Sequence, residues 1–262
     1  MDIQVRLSSG LWRMNLGEVN AALAGWHDGL KQLAEVDPNL DFVSGDSRTL
    51  HLGVDFEAEL ILSFSRWIKL GLSAGYGLGF LDEKATLLTV NQAGVLYERA
   101  RPTKVSAYPV LLSGYFNIPL GRKFNAYLRA GAGVIQARYV SREAQKKAAD
   151  KRFEYPVYDM AKARRLTYVG GVGFSYSFDD SLGFFIEADA RSARVGGLTG
   201  ENQLAENGTL YGYEAVSWLT HRWQPKMHVQ PEAPSGTRYR NGHEARVDFS
   251  GYSIKMGLIL TF

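Results

Sequence analysis

Five histidines and no cysteine bound the chemistry open to this 262-residue chain. Without a thiol there is neither a thiolate nucleophile nor a disulfide, which fits a Gram-negative envelope protein without requiring one. The histidines are His27, His51, His221, His228 and His243. The last three fall in one long polar connection with no ligand-like spacing, so no metal site is expected. His51 precedes Asp55 by two steps along one face of an alternating stretch. A general acid–base pair can be assembled from such groups, but a rim histidine bonded to a loop is the plainer reading. Gly75-Tyr-Gly-Leu-Gly79 and Gly131-Ala-Gly133 are not phosphate loops, because no helix follows either. They read as glycines making room for long charged side chains. The sequence assembles no convincing catalytic constellation, and the expectation is a chain that is not an enzyme and needs no cofactor.

Most of the chemistry-bearing residues are charges that share one face of alternating segments. Arg6, Lys69, Arg129, Arg191 and Lys255 stand with Asp55, Glu57, Glu59, Glu187 and Asp189, five of each sign. The segments that must position them alternate with period two, which sends successive side chains to opposite faces of a β-strand. Tyr252, Ile254, Met256, Leu258, Leu260 and Phe262 alternate with Ser253, Lys255, Gly257, Ile259 and Thr261. The same pattern predicts strands at about 2–14, 50–62, 67–81, 104–118, 123–140, 165–178, 182–195 and 246–262. Pro109 cannot donate to a ladder, so a bulge is expected there. Residues 17–36 change period: Val19, Ala22, Leu23, Trp26, Leu30 and Leu33 recur at helical steps. Asn15 is the expected N-cap and Asp37-Pro38 the stop.

The connections alternate in length. Short turns fall at Ser65-Arg66, Gly121-Arg122 and Asp179-Asp180, and long connections at 15–49, 82–103, 141–163 and 196–245. Arg142-Glu-Ala-Gln-Lys-Lys in the third long connection is helix-tolerant. Phe64, Trp67, Phe116, Phe124, Phe178, Phe184 and Phe262 cluster beside the short turns or the end of the chain, as interfacial rings do. Charges left in lipid cost about 2–4 kcal/mol each at midplane, so the charged face must point inward. Eight strands enclose an interior that side chains fill. These features predict an all-β fold, an eight-stranded antiparallel up-and-down transmembrane β-barrel over residues 1–262 as one domain, with a short helix in the first external loop. No run of about 18 apolar residues is present for a membrane helix. The start, Met1-Asp-Ile-Gln-Val-Arg-Leu, has no signal-like apolar stretch. The expectation is a mature chain carrying an initiating Met.

With eight amphipathic strands, three tight turns and terminal Phe262, the chain resembles the small outer-membrane β-barrel proteins of the OmpA-like and OmpW/opacity type. The resemblance implies a bacterial outer-membrane location. It also implies partnership with outer-membrane lipids and lipopolysaccharide, and delivery to the barrel-assembly machinery through the C-terminal strand. Lys146, Lys147, Lys151 and Arg152 are a candidate contact for lipopolysaccharide phosphates. Net charge of +3 with 22% charged residues is too balanced for a nucleic-acid partner. Two enzyme families build similar barrels. Lipid A deacylases carry a His-x-Ser pair, and no histidine here has Ser two places on. Omptin-like proteases use ten strands, with an Asp-His pair and an Asp pair at the outer rim; Glu187 and Asp189 imitate such a pair, but their depth favours a lumen salt bridge. The expected role is structural or surface-interacting, with a narrow channel for small hydrophobic molecules and a lipid-modifying enzyme as alternatives. The helix at 17–36 is expected to be a lid packed on Trp218 and Trp223.

Overall fold

A computed structural model describes residues 2–46 and 48–262; Met1, read above as an initiating residue, and Ser47 lie outside the described residues. In chain order the elements are β1 (Asp2–Met14), α1 (Gly17–Val36), β2 (Leu40–Gly45), β3 (Leu52–Ser63) and β4 (Ile68–Leu81). There follow β5 (Leu88–Gln92), β6 (Val95–Ala100), β7 (Thr103–Pro119), β8 (Phe124–Lys147), β9 (Glu154–Ser177) and β10 (Leu182–Ser192). The chain ends with β11 (Arg194–Gly196), β12 (Thr199–Asn202), β13 (Asn207–Val216), β14 (Trp223–Gln230), β15 (Tyr239–Glu244), β16 (Arg246–Asp248) and β17 (Gly251–Thr261).

Eight of these strands close on themselves. The antiparallel order is β1, β3, β4, β7, β8, β9, β10 and β17, and β17 pairs back with β1 from Gln4↔Thr261 to Met14↔Gly251. Closure removes the free sheet edges. The three short turns are tight: Phe64 N–H donates to Ile68 O, Leu120 N–H to Phe124 O, and Phe178 N–H to Leu182 O. In the last, the Asp179 carboxylate accepts from the backbone N–H of Ser181 and Leu182, both at 2.8 Å. Those turns and the two terminal strand ends share one end of the ring.

Several boundaries differ from expectation. Residues 141–147 and 154–163 form strand and only 148–153 remain as a connection, because β8 and β9 pair continuously from Phe124↔Tyr176 to Glu143↔Val157. Cross-strand pairing there overrides the helix tolerance of the sequence, since propensity is only a weak prior. The expected single strand at 246–262 breaks into β16, paired with β11, and β17. Pro109 makes no bulge: pairing between β4 and β7 lapses opposite Gly75 and Tyr76 and resumes in the same register, Ala74↔Val110 and Gly77↔Ala107. Leu16, not Asn15, caps α1, and without a side-chain bond. The residues after β4 and β10 add strands of their own. β5–β6 is a hairpin joined to β2 and to the tip of β8, while β13 binds β12, β14 and β15.

The interior has two storeys along the same inward-facing parity. Toward the short turns it is charged. Toward the long connections it turns apolar: Trp12, Met14, Val105, Ile135, Val195, Val247 and Phe249 pack with Val19, Ala22 and Leu23 of α1 and with Leu210 and Met227. The Trp12 and Phe249 rings stack at 5.7 Å. The helix therefore plugs the ring from above, with β14, which begins at Trp223, beneath it and Trp218 exposed beyond its apolar face. The helix lies on β14, where a Cβ at Gly25 would run into Pro225 O and one at Gly29 would meet the Gln224 amide. Glycine at Gly25 lets the two backbones touch. Asn20 fixes the other side, its amide donating to Leu50 O at 3.1 Å and its oxygen accepting from Leu50 N–H at 2.7 Å.

Candidate functional site

The charged storey is built from alternate positions of ring strands on opposite sides of the lumen: β10, β17, β1 and β3 on one side, β7 and β8 on the other, with β4 at its lower edge. Lys255 is fully buried, and its Nζ meets Asp189 Oδ2 at 2.8 Å, Glu57 Oε2 at 2.9 Å and Asp55 Oδ2 at 3.3 Å. Arg129 bridges Glu57 at 2.6 Å and Glu187 at 2.9 Å, and its Nε donates to Ser113 Oγ. Arg6 reaches Glu187 at 3.2 Å and Glu59 at 3.6 Å, with its guanidinium 3.6 Å from the centre of the Phe185 ring. Arg191 joins Asp55 at 3.3 Å and lies over Trp12. Tyr115 donates to Glu59 and Tyr127 to Glu187.

Nine of the ten anticipated charges thus meet in one network. Lys69 does not: it sits half-buried toward the turn end and donates to the Gln4 amide oxygen at 2.9 Å. No water-sized void is left among Arg6, Ser8, Glu57, Glu59, Arg129, Phe185 and Glu187. Each carboxylate faces a cation, so the network holds the strands in register and offers no free base. Glu187 and Asp189 do not act as a carboxylate pair; they take different partners.

The outward face is the complement. Leu7, Leu11, Phe56, Leu72, Leu112, Leu128, Val172, Ile186, Ile254 and Leu258 are all exposed. Phe64, Trp67, Phe116, Phe124, Phe178 and Phe262 are exposed as well and Phe184 half-exposed, with Trp67 stacked on Phe116 and Phe124 against Tyr176.

The histidines separate. His51 is exposed ahead of β3, while Asp55 is bound to Lys255 and Arg191, so the two form no acid–base pair. His27 is buried on α1, His221 sits in a turn at φ 52°, and His243 faces Glu18. One constellation was not anticipated. His228 Nδ1 lies 2.8 Å from Asp159 Oδ2, and the other Asp159 oxygen accepts Val229 N–H at 2.8 Å. Asp159 is buried, His228 half-buried, and both line an open cleft of about 650 Å³ with Asn202, Glu206, Tyr213 and Tyr239. The two are 69 residues apart, and each stood in a segment read as connection, so spacing gave no signal. In the basic group, Lys146 pairs with Glu98 at 2.9 Å, whereas Lys147, Lys151 and Arg152 are exposed near the β8–β9 tip.

No family model matches the chain, and no curated protein matches it. Among solved structures it is similar to the outer membrane protease OmpT from Escherichia coli. That similarity has 10% identity and a TM-score of 0.38, and it covers 100% of this chain and 97% of that one. The neighbour is a protease, so the expectation that this chain is not an enzyme does not stand; at that TM-score the likeness assigns it no activity. The comparison does not show the OmpA-like or OmpW/opacity type suggested by the sequence.

Proposed function

We propose that the chain is an integral outer-membrane β-barrel. On this reading the ring is a stable, ion-paired anchor, and the superstructure of α1 and β12–β15 carries the interaction with the outside. The observation that supports it is the inversion of the usual arrangement: large apolar side chains exposed around the ring and charges buried inside it. In water such a continuous apolar belt is a liability; in a bilayer it is the required surface, and strands of 11 to 24 residues meet or exceed the roughly 9–11 needed to cross. The filled lumen argues for an anchor rather than a channel for small hydrophobic molecules. Opacity-type kinship, binding of lipopolysaccharide and delivery by the barrel-assembly machinery are proposals that accompany this reading. Expression in a Gram-negative host followed by membrane fractionation tests it: the chain should sediment with outer membranes and resist urea extraction. Recovery in the soluble fraction would overturn it.

One observation favours a second reading. In the His228–Asp159 pair the carboxylate fixes one ring nitrogen, which leaves Nε2 to take a proton from water. A hydrolase working at this cleft would lose turnover of ester or amide probes in His228→Gln while retaining its fold. Unchanged turnover in that variant would remove the pair from any mechanism.

A further inference from the structure

A second cavity, of about 370 Å³, lies between α1, β14 and the tips of β6 and β8. Its apolar wall is Trp26, Leu30 and Leu33 of α1 with Trp218 opposite; its polar wall includes Arg99 and Lys226. The charges there do not balance. The Lys226 ammonium has no hydrogen bond and no ion pair within 4 Å among the described residues. Arg99 spends one nitrogen on Gln92 and leaves its buried Nε without a partner. Arg101, fully buried behind, leaves NH1 without a hydrogen bond and shares the one nearby carboxylate, Glu143, at 3.6 Å. Two cations, Arg99 and Lys226, thus line a cavity whose single carboxylate, Glu143, is already engaged by Arg101. Buried donors left unmade and buried charge left uncompensated are both costly. An anion entering the cavity would relieve both.

We propose that this cavity binds a small amphiphilic carboxylate, its head group on Lys226 and Arg99 and its aliphatic or aromatic body between Trp26, Leu30 and Trp218. The volume is that of an ordinary small-molecule site, apolar with a few convergent polar groups. Burial, followed by the charge of Arg101, already draws the Lys226 ammonium below the usual lysine range, while Glu143 only partly opposes them. A bound carboxylate would reverse that shift.

The test uses the full chain in lipid nanodiscs with three probes of one skeleton: 4-phenylbutyrate, 4-phenylbutan-1-ol and 4-phenylbutylamine. Saturable quenching of tryptophan fluorescence is expected for the acid, with at least tenfold weaker binding of the alcohol and the amine. Lys226→Met and Arg99→Met should each weaken the acid at least tenfold, whereas Lys226→Arg, which keeps the charge, should stay within a few-fold. Residue-resolved labelling by trinitrobenzenesulfonate gives an independent readout: the acid should slow modification of Lys226 several-fold and leave exposed Lys147 unchanged. Equal binding of acid and alcohol, full binding by Lys226→Met, or no saturable binding of the acid at millimolar concentration would each overturn the assignment.

Discussion

At Lys255 three carboxylates converge on one ammonium, and the consequence of removing it is calculable in direction. Lys255→Met leaves Asp55, Glu57 and Asp189 facing one another in a closed interior. Breaking a buried pair from one side costs about 3–5 kcal/mol, so the free energy of denaturant unfolding in micelles should fall by that amount. Lys69→Met, which loses one bond to a neutral amide at a half-exposed site, should cost under about 1 kcal/mol. Equal costs at the two positions would contradict the network. A pH effect belongs to Tyr213, in the outer sheet: burial, then Tyr239 and Asp159, raises its hydroxyl to about 12. Its folded value exceeds its unfolded value of about 10. Its contribution to stability is therefore complete below pH 10 and is lost as pH climbs toward 12. Tyr213→Phe should flatten the fall in thermal midpoint across that window, and an unchanged slope would exclude Tyr213 as its source. At this scale the sequence was readable wherever alternation held. Parity alone gathered Arg6, Glu57, Glu187 and Lys255 on one face. It could not pair His228 with Asp159, or Arg99 with Lys226, because those meetings depend on how connections fold back.

Among the elements, α1 was legible from its helical spacing, but its seat was not. The seat depends on a glycine contact with a strand 200 residues downstream, Gly25 against Pro225. Alanine is the better helix former by about 1 kcal/mol, yet at Gly25 a methyl group meets backbone oxygen. Gly25→Ala is expected to destabilise the outer storey and speed amide exchange across α1 and β14. Gly17→Ala, with open space around it, is expected to be neutral or mildly stabilising. Faster exchange in neither variant would show that α1 is not held by this contact. The β8–β9 extension was misread because its polar, helix-tolerant composition hides an inward row, Tyr139, Ser141, Asp159 and Ala161, that is buried only once the outer sheet covers it. The upper apolar storey is equally present in the parity of Trp12, Val105, Ile135 and Val247.

For the whole molecule, two interiors stacked in one ring determine what can pass through it. The ion-paired storey leaves no void and the apolar storey is stoppered by α1. In planar bilayers the chain should therefore show no reproducible single-channel steps; regular steps would require a path that these side chains close. The central claim, a ring whose outer face meets lipid, is tested most directly by spin labels. The chain has no cysteine, so single cysteines can be placed at Ile254, Met256 and Leu258, all outward and exposed on β17, and labelled without background. In reconstituted bilayers their relaxation should be enhanced by oxygen, which concentrates in lipid, and spared by a water-soluble nickel chelate. Dominant collision with nickel at all three positions would contradict the account.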